Sequence, residues 1–530
     1  MKFDMASNGE EPIEFNVSGH VQELERQFGL LSVSAVGIVT GCSWALMGGT
    51  IVTSVLDGGP PGILYEFIVV SVMYCVVGAS IAELASAIPS SAGVYQWSTI
   101  VSGARYGPLI GFYAGWWNTL AWIFATVSSG SVVAQQVVQI YALSHPQYVF
   151  QRWHVFVAYI IVTWACCFVV SFANKALPLL NQAGLFLIIS GVFISILVCA
   201  IMPGHGGSGY ASNAFVWRQW QNSTGYSNDG LVFVIGMLNG AYAMGTPDCI
   251  SHLAEEIPRP AVNVPKAIAA QIIIGFLSTF LYLLALLYAI SDLNGVVNSS
   301  FNFPLALIYL QATGSRAGAI GLLIVIFLPS LCACTAAYIT AGRVLWTLGR
   351  DGATPFSKIV GKIDAKQKNP MNSTLICGVI STVFGAIYLG STTAFNAFVG
   401  SFVILMSLSY IATLGPHLIR RRHCVIRGPF WIKGVAGYFV CGVACAYLTV
   451  FIVIFCLPYT MPTSATSMNY SSAITGGLTA LITVWWVWKR KTDYVGPQMV
   501  TITPVVRGND PGNPGMEANA GLCDTNVVKE

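Results

Sequence analysis

The chain has 530 residues, 55% hydrophobic and 9% charged, with a formal net charge of +4 and a mean hydropathy of +0.68. Soluble proteins carry roughly 25% charged residues, so this composition excludes a chain that faces water on all sides and puts it in the membrane class. The 14 cysteines are scattered through apolar runs, as in Cys166-Cys167 and Cys332-Ala333-Cys334, without the clustered spacing of a zinc site. No metal, cofactor, nucleic-acid partner or enzymatic centre is expected.

Residues 1–28 are polar and mostly acidic (Asp4, Glu10, Glu11, Glu14, Glu23, Glu25). They lack the basic start and short apolar core of a cleaved signal peptide and are expected to form a cytoplasmic tail. Residues 29–490 read as one transporter domain. A spanning helix needs about 20 mostly apolar residues. Twelve such runs follow one another, at 30–56, 62–88, 108–142, 154–173, 177–202, 230–253, 264–290, 317–342, 373–390, 395–418, 434–457 and 472–488. Residues 491–530, with RGNDPGNPGMEANAG, are Pro/Gly-rich and polar, the composition of a disordered tail.

Lys and Arg set orientation. With both termini in the cytoplasm, all of the 25 basic residues but Arg152, Arg218 and Arg316 fall inside. The sequons at Asn222, Asn298 and Asn469 would then be external and open to glycosylation, whereas Asn16 and Asn372 would be internal.

Runs 1 and 6 are interrupted. GIVTGCSWALMGG puts Thr40, Gly41, Cys42 and Ser43 in mid-membrane; run 6 packs Gly236, Gly240, Gly245 and Pro247 together and then places Asp248. Gly/Pro-interrupted segments at corresponding places in two halves point to a transporter site. Irregular backbone survives at depth only where protein or a water-filled cavity satisfies its N–H and C=O groups. Glycines that merely let helices approach closely are the alternative.

GASIAELASAIPSSAGVYQW (78–97) and HLAEEIPRPAVNVPKAI (252–268) resemble the signature of the amino acid–polyamine–organocation permeases. Within that superfamily the chain looks most similar to the fungal choline permeases, beside the GABA permeases, through GCSW, HPQYVFQRWHVFV (145–157), CISHLAEEIPRP, STTAFNAFVG (391–400) and RGPFWIKG (427–434). The resemblance implies an all-α polytopic membrane protein of twelve transmembrane helices. It would be a LeuT-like five-plus-five inverted repeat with helices 1 and 6 broken and two helices appended. The same resemblance implies substrate held among runs 1, 3, 6, 8 and 10, alternating access, proton-driven uptake and a plasma-membrane location.

An ionised carboxylate in the membrane costs roughly 3 kcal/mol and is a functional residue by default. Asp248 would either neutralise a cationic substrate or carry the coupled proton; a helix-end cap is the structural alternative. Glu83, Glu255 and Glu256 read as gating or structural acids, the last two beside Arg259 and Lys266, and His252 as a structural hydrogen-bonding group or a proton relay. Amino-acid carriers that this chain resembles read Gly-x-Gly at the first break; here a single glycine is followed by Trp44. That departure favours a cation held by aromatic faces over an α-carboxylate, at roughly 1–2 kcal/mol per ring. The expected substrate contacts are Thr40, Gly41, Cys42, Ser43, Trp44, Trp122, Asn239, Tyr242 and Asp248. The expected function is proton-coupled import of choline or a similar small nitrogenous cation across a lipid bilayer. Permeation of amino acids, GABA or polyamines is the second reading, and nutrient sensing without transport the third.

Overall fold

The computed structural model describes residues 24, 26–299, 301–465, 467–492, 494 and 496–497, without the side chains of 52, 53, 392 and 394–396. Nearly all of segment 1–28 (Asn16 included) and most of 491–530 lie outside the described residues.

Apolar runs become helices because a helix satisfies its own backbone groups in hydrocarbon. Run 1 divides into α1 (Leu30–Gly41), α2 (Ser43–Gly49) and α3 (Ile51–Leu56). Then come α4 (Gly59–Ala87), α5 (Val94–Ser144), α6 (Arg152–Phe172), α7 (Leu177–Ile201) and the short α8 (Asn213–Trp217). Run 6 gives α9 (Asp229–Met244), followed by α10 (Pro260–Tyr288), the short α11 (Leu293–Val297) and α12 (Leu305–Thr313), and α13 (Arg316–Arg350). The chain continues through α14 (Ser357–Val360), α15 (Met371–Gly390), α16 (Thr392–Ile419), α17 (Gly434–Ile454) and α18 (Ser471–Lys489). A two-residue ribbon pairs β1 (Asp57–Gly58) with β2 (Gln221–Asn222), antiparallel.

Among the described residues, ten spans are long and apolar enough to cross a membrane. Run 6 is not one of them, because α9 stops after 16 residues; α18 is also outside the ten. Run 3 begins earlier than its apolar pattern suggests. Polar residues from Val94 wind into the same element, which bends at Gly103 (φ 76°). A Cβ there would collide with the Arg420 guanidinium, so the bend requires glycine on two counts. α5 packs along α13 and α16, α10 along α4, and α1 against α7, α10 and α13.

The two ends of the bundle differ. One carries the β-ribbon, α8, α11 and α12. The other is stapled by buried ion pairs. The Arg422 guanidinium meets Glu83 Oε1 at 2.6 Å, and Ile432 N donates to Oε2 at 3.0 Å. Glu255 pairs with Arg350 at 3.2 Å, and Glu256 with Arg343 through two guanidinium nitrogens. These partners correct the expectation of Arg259 and Lys266. A 3-10 turn, Ser251–Glu256, carries both acids to α13, while Arg259 (φ 48°) turns outward and is exposed. Arg343 and Arg422 therefore do more than orient the chain, as each neutralises a buried acid.

The sequons divide as well. Asn298 is exposed and Asn222 partly so. Asn469 is 1% exposed, and its amide donates to Phe455 O (2.8 Å) and Leu457 O (2.9 Å). Its nitrogen is thus engaged inside the fold, against the expectation of a modified residue.

Truncating one partner of a buried ion pair costs about 3–5 kcal/mol, because the other charge is left unpaired. Arg343→Ala should accordingly lower the thermal unfolding temperature of the detergent-purified protein far more than Arg259→Ala. Equal shifts would show that the Arg343–Glu256 pair contributes no more than a surface charge.

Candidate functional site

The first break is a single residue wide. α1 closes with Cys42 N donating to Ile38 O (2.9 Å), Cys42 takes φ 22°, and α2 restarts at Ser43. The second break is longer. α9 ends at Met244; Gly245 and Thr246 are non-helical, and a turn over 247–250 leads into the 3-10 segment. Pro247 has no N–H to continue the ladder.

The breaks face one another. The Ser43 hydroxyl donates to Ala243 O at 3.0 Å, tying the restart of run 1 to the end of α9. Gln271 of α10 lies between them. Its Nε2 donates to Thr246 O (3.1 Å) and Oγ1 (3.0 Å), and a Cβ on Gly41 would sit 3.2 Å from the same nitrogen. Gln271 thus takes up the Thr246 carbonyl at the second break while packing closely on Gly41 at the first. Gln271 was not singled out from the sequence; a polar residue in the middle of run 7 was the available signal.

Asp248 is fully buried and is the hub of the second break. Its Oδ2 accepts from Asn118 Nδ2 (2.8 Å), Trp122 Nε1 (3.2 Å) and His252 Nε2 (3.1 Å), and its Oδ1 from Tyr410 (2.7 Å). It therefore joins α5, the run 6 break and α16. The other ring nitrogen of His252 lies 3.1 Å from Ser91 O. Ser91 belongs to the IPSSAG segment after α4, whose hydroxyl also accepts from Glu255 N at 3.0 Å. Both nitrogens of His252 thus face acceptors. A neutral imidazole has only one N–H to give, so full satisfaction requires one further proton on the Asp248–His252 pair. Asp248 and His252 therefore form one hydrogen-bonded unit with room for that proton between them.

Two small cavities that share Leu46, Ser129 and Ala333 in their linings adjoin the breaks. One, about 20 Å³, is lined by Thr40, Leu46, Trp122, Tyr242, Thr246, Ala337 and Phe402, together with Ala125, Ser129 and Ala333. The other, about 10 Å³, is lined by Cys42, Ala45, Leu46, Ser129, Val132, Ser330 and Ala333. Room for roughly one water needs 10–15 Å³, so the centre is closed in this conformation. Three rings converge on the larger cavity. Tyr242 stands edge-on to Phe402 at 5.6 Å and donates to Ser128 Oγ at 2.9 Å, and Trp122 closes the side toward Asp248. A wider recess, about 540 Å³, is elsewhere, near the end of α5, and has Arg316 in its lining, the wrong charge for a cation.

The expected contacts separate into two groups. Thr40, Cys42, Trp122 and Tyr242 border the cavities. Trp44 does not. It is fully buried on the opposite side of α2, edge-on to Tyr282 at 5.1 Å and close to Gly191 of α7. Restarting the helix at Ser43 turns Cys42, Ala45 and Leu46 toward α5 and α13, and the ~100° step per residue sends Trp44 into the packing between α7 and α10. Ser43 and Gly41 are spent on Ala243 and Gln271. Asn239 is buried on α9 outside the cavity linings, and Asp248 reaches the cavity only through Trp122. Glu83, Glu255 and Glu256 lie in the ion-paired end. Asn118, Phe402 and Tyr410 belong to the site but carry no local motif.

Broken facing helices, a buried acid and an aromatic-lined centre define a membrane permease. The model for the family described as amino acid permease matches residues 28–479, and the chain belongs to that family. It is 30% identical over 471 residues to a choline transporter of Saccharomyces cerevisiae, covering 89% of this chain and 83% of that one. It is 24% identical to a 7-keto 8-aminopelargonic acid transporter of the same yeast, over 87% and 92% of the two chains. A crystal structure of a mutant manganese transporter from Eremococcus coleocola shares the fold, with TM-score 0.54 and 14% identity, over 87% of this chain and 94% of that one. The family and its relatives are transporters and not enzymes.

Trp44→Ala should destabilise the protein by about 3–5 kcal/mol, as for other large buried aromatics, and leave the apparent affinity of surviving transporter unchanged. Trp122→Ala should raise the transport KM roughly 10-fold, the loss expected of one ring face at about 1–2 kcal/mol. Uptake kinetics normalised to folded protein separate the two residues; a KM effect confined to Trp44 would reverse the assignment.

Proposed function

We propose that this permease imports choline or a closely similar quaternary or tertiary ammonium ion together with protons. Both termini would be cytoplasmic, in the plasma membrane. The two shorter helices α9 and α18 would complete twelve spans, the first ten arranged as two inverted halves of five. The observation that carries the substrate reading is the meeting of Trp122, Tyr242 and Phe402 at the break, with Asp248 directly behind Trp122. An ammonium without N–H groups is recognised by ring faces, and the acid supplies the balancing charge without a direct contact. The choline transporter relative supports the same reading.

The proton-holding pair supports coupling. With one shared proton beyond that of a neutral imidazole, the Asp248–His252 pair is neutral overall, which suits a buried site. Loss of that proton leaves one net negative charge beside the closed cavity, so the site is reset by taking up a proton again. If substrate enters from the ribbon end and the proton leaves at the ion-paired end, both move in the same direction. The ion pairs of Glu83, Glu255 and Glu256 hold that inner end shut in the conformation described.

Reconstituted full-length protein should accumulate radiolabelled choline under an inward proton gradient. Excess unlabelled choline should compete, and GABA, arginine and spermidine should compete poorly. Asp248→Asn should abolish gradient-driven accumulation while counterflow persists. Strong competition by an amino acid, with none by choline, would overturn the substrate; wild-type accumulation by the Asn variant would overturn the coupling residue.

A further inference from the structure

Another buried acid lies toward the ribbon end. Glu66, in the second turn of α4, is 2% exposed. It is not part of the break or of the ion-paired end. Its Oε1 has no hydrogen-bond partner, and the described residues provide it with no ion pair.

What covers Glu66 is the backbone of α9. A Cβ built on Gly236 would fall onto the carboxyl group itself, touching Cδ and both oxygens. Gly236 thus lets the outer half of the broken helix lie flat on an acid, with no side chain between. On its own helix, Gly62 lies between Glu66 Oε1 and the Asp57 carbonyl: a Cβ there would be 3.3 Å from the first and 2.8 Å from the second. Asp57, 7% exposed, is itself an acid and adds no positive charge. Among the described residues, the other elements packed on α4 (α3, α8, α9, α10, α17 and β2) form no ion pair with it. Asp229, at the start of α9, accepts from Asn222 at 3.0 Å, and Tyr459 is the further ionisable neighbour of Asp57.

An ionised carboxylate buried without a counterion is among the costliest arrangements in a protein. A neutral carboxyl in the same place loses most of that penalty. α9 can therefore rest on Glu66 only when the acid holds a proton. Once α9 swings away and water reaches the group, the carboxylate is the favoured form.

We propose that Glu66 is the proton acceptor of the outer gate: it takes a proton from the ribbon side while α9 is displaced, and its neutral form permits α9 to close. The step is acid–base only, with carboxylate and hydronium giving carboxylic acid and water. The proposal rests on the proton-coupled reading above and adds to it a second titrating site, on α4, that senses external pH before the Asp248–His252 pair is reached.

Infrared difference spectroscopy of the purified full-length protein tests it without any substrate. The wild-type protein at neutral pH should show the C=O band of a protonated, non-hydrogen-bonded carboxyl. The band should vanish in Glu66→Gln and move, not vanish, in Glu66→Asp. Absence of a band attributable to Glu66 at neutral pH would overturn the proposal. In proteoliposomes, Glu66→Gln should keep choline counterflow and lose the stimulation by acid external pH expected of wild type; stimulation equal to wild type would also overturn it. Should wild-type protein fail to respond to a proton gradient at all, the coupling reading falls with it, whereas failure of choline alone would leave the infrared result to decide Glu66.

Discussion

A polypeptide in hydrocarbon must satisfy every backbone N–H and C=O from within, and this protein breaks two of its helices in mid-membrane under that constraint. The remaining architecture near the centre answers it. Ser43 from one break bonds Ala243 beside the other, Gln271 bonds Thr246 from a third helix, and Tyr410 reaches both the Gly245 carbonyl (3.4 Å) and Asp248 from a fourth. The same groups that repair the backbone also fix the positions of the rings and the acid around the cavity.

Asp248 gains its role from this repair. It is a short side chain in an irregular turn, and four donors from α5, α16 and the turn itself converge on it. Such saturation leaves its oxygens little capacity for a direct ligand. Trp122 is the link, since its indole N–H is committed to Asp248 while its ring forms a wall of the cavity. The Asp248–His252 pair and the cavity are thus separated by the thickness of an aromatic ring.

Much of this was legible in the sequence. Gly41 with the polar run Thr40–Ser43, and Gly245 with Pro247, fix where helices fail, because those residue types change the local backbone itself. Asp248 stood out for the cost of its charge. Less legible were features that depend on rotation and on distant segments. Trp44 was expected at the cavity, but its direction depends on the phase at which α2 restarts, which a one-residue break at Cys42 sets. The partners of Glu255 and Glu256 lie about 90 residues downstream on α13, and neighbours in sequence were the wrong guide. Asn118, Gln271, Phe402 and Tyr410 are single residues on otherwise ordinary helices; nothing local distinguishes them from packing. The family signature IPSSAG gained a physical reading only when Ser91 was seen to hold His252 and Glu255.

The most direct measurement of the central claim is an electron cryomicroscopy map of the full-length protein in lipid with choline bound. The account requires ligand density bounded by Thr40, Trp122, Tyr242 and Phe402, with Asp248 behind the indole and both helices interrupted at Cys42 and Gly245. Density bound elsewhere, or a continuous helix through either position, would contradict it.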